Sequence, residues 1–340
     1  MRKSLFGLLS ATALAVAMTP AAAQDTIKVG LILTLSGQFA DAGIQLQNGV
    51  KTYMQQHGDT VGGKKIELIV KDSGGPAPDV AKRLAQELIV RDKVDILAGF
   101  VLTPNALAAS DVSAEAKKFM VIMNAATSII TTKSNYSVRS SVTLPQVAET
   151  FGTWAAKKAG VKKSYTMVTD YGPGHDFEGG FQRAFKEAGG EITGSVRFPV
   201  ANPDFSAFVQ RAKDLNPESI MIFIPGGAQP AALGKAFAER GVDPNKIKIL
   251  GSGETTAEQA LKSMGDASLG IITAWHYEYT DKSNPKNVAF VKVFNEMHKR
   301  NPDFFSIGGY DGMHVIYESL KKAGGTVSYT HLTLPTKRIV

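Results

Sequence analysis

The 340-residue chain contains no cysteine. Disulfide stapling is therefore excluded, and an exported protein of this size must be held by its hydrophobic core alone. The same absence excludes a lipid-anchored cysteine behind an export signal. The six histidines show no metal-ligand spacing, so no metal is expected. No Gly-x-Gly-x-x-Gly follows the first strand-like run, and no phosphate loop ending in Lys-Ser or Lys-Thr is present, so no nucleotide or other cofactor is expected. Ser252 lacks flanking glycines at nucleophile-elbow spacing. An enzyme is not expected. The formal charge is +7, yet the lysines are spread along helix-like segments (Lys157-Lys158, Lys162-Lys163, Lys321-Lys322) with no basic block interleaved with aromatics. Nucleic acid is not an expected partner.

At the N-terminus, Arg2 and Lys3 precede an apolar and small-residue run from Leu5 to Met18, and Ala21-Ala22-Ala23 follows. This layout predicts a secretory signal peptide over 1–23, with an apolar core too short to span a membrane. The mature chain is expected to start at Gln24 and to work as a soluble, monomeric periplasmic protein. Apolar residues make up 44% and charged residues 20% of the chain, which suits a globular protein of two lobes.

Apolar, β-rich runs alternate with segments of helical period. Strands are predicted over 27–34, 65–71, 94–99, 119–124, 164–169, 191–197, 219–224, 246–250 and 269–274. Helices are predicted over 41–57, 78–92, 104–118, 145–159, 177–189, 204–215, 228–240, 257–264, 286–300 and 309–323. Strands such as Ile220-Met221-Ile222-Phe223-Ile224 are continuously apolar, the pattern of strands buried on both faces. An α/β fold of parallel sheets with helices on both sides follows. The rhythm breaks at Tyr136–Thr143, and a second crossing is expected near Ile272–Tyr277. This gives lobe 1 as 24–142 with 275–325, and lobe 2 as 143–274. After Gly324-Gly325 the pattern is lost. The stretch 326–340 resembles a translated sequencing adapter, so it is expected to be a non-native tail on a chain whose natural form continues.

Candidate site residues fall at predicted strand ends. The turn Phe100–Asn105, with Leu102 and Thr103 before Pro104, leads into a helix whose free amides, beside a hydroxyl, suit a carboxylate. The next turn, Asn124-Ala125-Ala126-Thr127-Ser128, adds a second hydroxyl at the neighbouring strand end, where open parallel sheets bind ligands. In the second lobe, Asp170, Tyr171 and His175 supply an acid, a phenol and an imidazole. Glu254, in Gly251-Ser252-Gly253-Glu254, is either a contact for a cation or an acid near a helix start.

These residues resemble the type I periplasmic solute-binding proteins of ABC transporters, in the leucine/isoleucine/valine-binding group. The resemblance runs from about 26 to 325. It rests on Ile27-Lys28-Val29-Gly30 with Leu35-Ser36-Gly37, the Gly99–Asp111 segment, Thr169-Asp170-Tyr171-Gly172, Gly251-Ser252-Gly253 and Tyr310-Asp311-Gly312-Met313-His314. It implies two Rossmann-like lobes with parallel central sheets joined by a hinge. It also implies capture of a small carboxylate or amino acid between the lobes, and delivery to a permease in the inner membrane. Thr103 falls on the family's carboxylate-binding hydroxyl, and Ala125 and Thr127 on neighbouring contacts. The aromatic contact falls near Tyr171–His175, and the ammonium-binding acid at Gly253 or Glu254. Ala42 stands where the family has a tyrosine, a departure that brings aromatic or aliphatic carboxylic acids into range as alternative solutes. A ligand-sensing module of a signalling receptor is the other alternative.

Overall fold

The computed structural model describes residues 26–327. The expected signal peptide and residues 328–340 of the expected tail lie outside that range. Thr26–Leu33 forms β1, Lys64–Asp72 β3, Ile96–Gly99 β4 and Phe119–Ile122 β5. With the short β2 (Thr60–Val61) and β6 (Ser137–Arg139) they make a six-stranded sheet in the order β2-β3-β1-β4-β5-β6. Every pairing in it is parallel except β2 with β3. A second, five-stranded parallel sheet runs β11-β10-β9-β7-β8. It is built from β7 (Lys163–Thr169), β8 (Glu191–Phe198), β9 (Ser219–Phe223), β10 (Lys248–Ser252) and β11 (Ile271–Ala274). The protein is an α/β fold of two parallel-sheet lobes, as the unbroken apolar runs require.

Each sheet carries a hydrophobic core on both faces. In the first lobe α1 (Ala40–His57) and α10 (Phe304–Lys322) cover one face, while α2 (Pro78–Val90) and α3 (Thr103–Glu115) cover the other. In the second, α4 (Leu144–Lys157) and α5 (Gly172–Glu187) lie opposite α6 (Phe205–Asp214) and α7 (Gln229–Glu239). The short α8 (Glu258–Met264) follows β10, and α9 (Pro285–His298) follows the crossing after β11. Arg300, just beyond α9, forms a bidentate pair with Asp41 on α1 at 2.7 and 3.1 Å. The last helices thus return to the first sheet. Val327, within the stretch 326–340 expected to be a tail, is partly buried against the first core.

Four local readings need correction. β2 and β6 were not expected: each is a two- or three-residue edge strand, too short to show a periodicity. β6 falls inside the Tyr136–Thr143 break and pairs with β5. Helix α5 starts at Gly172, five residues before the expected 177, because Pro173 fits a first helical turn. Gly174 is needed there, since a Cβ would lie 1.9 Å from the Thr169 carbonyl oxygen. Helix α10 starts at Phe304, not 309. Asp303 accepts from the amides of Phe305 and Ser306 at 3.0 and 3.1 Å, and Ser306 Oγ accepts from the Asp303 amide at 2.8 Å. That reciprocal cap outweighs the helix-weakening Gly308-Gly309 pair.

Helices α1 and α10 cross with their backbones in contact. A Cβ on Gly49 would sit 1.8 Å from the Ser306 carbonyl oxygen, and one on Gly309 2.1 Å from that of Leu46. Alanine at either position gains about 1 kcal/mol of helix propensity but forces the helices apart. The expected net loss is about 1–3 kcal/mol, a drop of roughly 2–10 °C in Tm. Thermal unfolding of Gly49→Ala and Gly309→Ala checks this, and an unchanged Tm would contradict the close crossing.

Candidate functional site

The carboxyl ends of both sheets face each other. In the first sheet β4 and β5 lie side by side, with Gly99 opposite Ile122, so the turns after them meet. Gly99 and Phe100 both adopt positive φ, +105° and +67°, and swing the chain from β4 into α3. Positive φ at a buried phenylalanine is strained backbone of the kind found at binding turns. Leu102 is the N-cap of α3 and Thr103 its first helical residue, with Pro104 behind it. The Thr103 hydroxyl bonds the hydroxyl of Thr127 at 2.8 Å, buried between the two turns. Arg139, at the end of β6, donates to the carbonyl oxygens of Thr127 at 2.7 Å and Ala125 at 3.4 Å, and so fixes the second turn from behind.

From the second lobe, Tyr171 at the end of β7, Pro225 after β9 and Glu254 after β10 complete the lining, together with Trp275 in the crossing and Phe305 at the start of α10. Leu102, Thr103, Ala125, Tyr171 and Glu254 therefore line one space, and Thr127 is hydrogen-bonded to its wall. Asp170 and His175 stand apart. They pair with each other at 2.7 Å, with side chains 59% and 43% exposed, outside the lining. Ala42 is buried in α1 against the first core.

The space among the lining side chains is about 20 Å³, room for about one water molecule, so the lobes are closed on each other. A solute enters only when they part. Two glycines permit the closure. A Cβ on Gly172 would lie 3.1 Å from the Thr127 methyl, and one on Gly227 2.3 Å from the Gln38 carbonyl oxygen on the opposite lobe.

Glu254 is the one acid in this lining. Burial pushes its carboxyl up to about 8, against a partial offset from the Ser252 hydroxyl, which donates to it at 3.3 Å. The carboxyl is therefore mainly protonated at neutral pH. Burial also raises the Tyr171 phenol well above its usual range, with the Glu254 charge adding to the shift. Trp275 Nε1 is buried and makes no hydrogen bond. Among the described residues no group of three histidines or acids is placed to hold a metal ion. A larger cavity of about 1070 Å³ lies on the other side of Trp275, bordered by Tyr53, His57, Tyr277, Asp311 and His314. It lies along α1, α9 and α10, away from the paired threonines.

The family model for periplasmic binding proteins matches residues 26–333. The chain belongs to the periplasmic binding protein family. Its relatives include Leu/Ile/Val-binding protein homolog 6 of Brucella melitensis, 40% identical over 324 residues, covering 93% of this chain and 82% of that one. A solute-binding protein of an ABC transporter from Rhodopseudomonas palustris BisB5, solved in complex with 3,4-dihydroxybenzoic acid, is 46% identical with a TM-score of 0.86. It covers 91% of this chain and 84% of its own. Another from Rhodopseudomonas palustris HaA2, in complex with p-hydroxybenzoic acid, is 36% identical with a TM-score of 0.87 over 91% and 84% of the two chains. As a periplasmic binding protein the chain is a solute-binding component of an ABC transporter and not an enzyme. No helix among the described residues is long and apolar enough to cross a membrane.

Trp275, Pro225 and Phe305 were missed as site residues. Each comes from an element remote from the motif that was read. For Trp275, the second crossing near Ile272–Tyr277 was the available signal: a hinge segment between two lobes passes the cleft.

Proposed function

We propose that this periplasmic binding protein captures a hydroxylated aromatic carboxylic acid and delivers it to a permease of the inner membrane. The carboxylate is held by Thr103 and Thr127 at the start of α3, and the ring lies among Tyr171, Trp275 and Phe305. The ring hydroxyl meets Glu254 and the Trp275 N–H. The two lobes divide near residues 142 and 275, with the sheet of 26–139 in one and that of 163–274 in the other. Export by the N-terminal signal places the protein in the periplasm.

The observation that carries the reading is the place of Glu254, the one acid in a lining otherwise rich in apolar and aromatic side chains, where burial pushes its carboxyl up. A buried carboxyl that keeps its proton at neutral pH suits a phenolic hydroxyl, which can both donate and accept. An ammonium would need the carboxylate ionised in a dry site. The unpartnered Trp275 N–H supports the same polarity, because buried donors are generally hydrogen-bonded and a solute oxygen would supply the acceptor. The relatives bound to hydroxybenzoates lend further support.

The amino-acid reading keeps two arguments, that Glu254 is an acid at the cleft and that a relative 40% identical to this chain is named a Leu/Ile/Val-binding protein homologue. A thermal-shift series separates the two readings. Solute that binds only the native form raises the melting point by mass action, about 2.7 kcal/mol of added stability at a hundred times Kd. The expected order is 3,4-dihydroxybenzoate and 4-hydroxybenzoate above benzoate, with leucine inactive. Stabilisation by leucine alone would replace the aromatic reading with the amino-acid one.

A further inference from the structure

A charged contact bridges the lobes at the rim, outside the solute lining, beside the turn that carries Thr127. Asp176, in the second turn of α5, accepts a hydrogen bond through Oδ2 from the backbone N–H of Ser128 at 2.6 Å. Ser128 is the residue after Thr127, and it belongs to the opposite lobe. Behind the same turn lies Arg139, whose guanidinium donates to the carbonyl oxygens of Thr127 and Ala125. Burial lowers the affinity of Arg139 for its proton, and the Asp176 charge acts in the opposite direction. The Asp176 carboxylate thus meets a bound N–H and the field of a guanidinium, both tied to the turn that carries Thr127. Neither Asp176 nor Arg139 lines the solute space.

We propose that Asp176 is a positioning residue that latches the second lobe onto the Thr127 turn and sets the balance between closed and open lobes. The contact exists only in the closed form; on opening, both partners return to water. Its free energy therefore belongs to closure and is the same whatever solute lies inside. Apparent affinity is the intrinsic affinity scaled by the population of the competent state. Weakening the latch must then weaken all solutes by one common factor and leave their ranking unchanged. Changes at Thr103 or Glu254 alter the ranking, because those groups discriminate between solutes. A charge-assisted hydrogen bond at a half-exposed rim supports a factor of roughly 3 to 10.

The latch rests on reading the cleft as the solute site, so the test has an arm that needs no solute. Because the chain lacks cysteine, Lys82→Cys on α2 and Lys186→Cys on α5 place one label on each lobe at exposed positions. The distance distribution between the labels is measured without solute, with and without Asp176→Ala. Affinities for 3,4-dihydroxybenzoate, 4-hydroxybenzoate, benzoate and leucine are measured in parallel by calorimetry. The expected result is a shift of the solute-free distribution to longer distances, with every compound that binds weakened by the same factor. Asp176→Asn, which keeps an acceptor oxygen, is expected to fall between wild type and alanine. An unchanged distribution, or a loss that differs between compounds, overturns the latch. If none of the four compounds binds the unaltered protein, the proposed solute class fails, while the distance arm still decides the latch.

Discussion

Replacing Thr103 by valine is expected to weaken binding of the cognate acid roughly 10- to 150-fold. The substitution keeps the β-branched shape at the first helical position of α3 and removes only the hydroxyl. Two losses combine. The solute carboxylate loses a partner, and a hydrogen bond to a charged group is worth about 1.5–3 kcal/mol. The Thr127 hydroxyl, buried and bonded to Thr103 at 2.8 Å, loses its neighbour at the same time. Thr103→Ser keeps the oxygen and is expected to bind within about threefold of wild type. The charge of the solute supplies the control. Against the matching uncharged amide, the valine change should cost only about 0.5–1.5 kcal/mol, the range for neutral pairs. Calorimetry with acid and amide on both variants tests the assignment. Unchanged affinity for the acid would remove Thr103 from the site.

The threonine pair was legible in the sequence because its logic is local. Both turns follow buried strands that pair in register, so two hydroxyl-bearing strand ends had to lie side by side. The same logic reached Tyr171 and Glu254, each two residues beyond the end of a strand. It went astray at Gly172–Asp176. Glycine and proline there suggested a loop that offers His175 to the cleft. The helix instead begins at Gly172, and its phase carries His175 outward to pair with Asp170. Asp176, one residue on in the same helix, lands on Ser128. No local pattern encodes that contact, because it joins two lobes whose relative placement is a tertiary outcome. The same holds for Gly227 and Trp275, whose roles depend on what approaches them from the other side of the cleft. Helix α2 is the opposite case. Leu84 and Leu88 are buried while Lys82 and Arg83 face water, as the spacing alone requires.

Binding of a hydroxybenzoate is expected to take up close to one proton at pH 7, and binding of an amino acid none. In the closed lobes the Glu254 carboxyl titrates at about 8 against an ordinary 4.5, with burial as the main cause. Opening the cleft hydrates the group and returns it toward the ordinary value, so at pH 7 the open form is ionised and the closed form protonated. The closed form binds the extra proton. Closure, and stability against unfolding, must therefore weaken as pH rises from about 4.5 to about 8, by up to about 1.4 kcal/mol per pH unit. Above 8 the dependence flattens, because both forms are then ionised. A phenolic solute leaves the Glu254 proton in place, so its binding inherits this uptake and falls with pH across that window. An ammonium holds the carboxylate ionised in the complex, and its affinity stays flat over the same range. Calorimetry in two buffers of different ionisation enthalpy reads the proton count directly. Glu254→Gln sharpens the contrast, since the amide copies the neutral carboxyl and cannot copy the charge. It is expected to abolish proton uptake and, because the variant has no carboxylate to protonate on closing, to tighten hydroxybenzoate binding at pH 7 by up to about 3 kcal/mol. The same change would cost an ammonium-bearing solute about 2–5 kcal/mol. A hydroxybenzoate that binds tightly with no proton uptake would show an ionised Glu254 in the complex, and the neutral-carboxyl reading of this site would be lost.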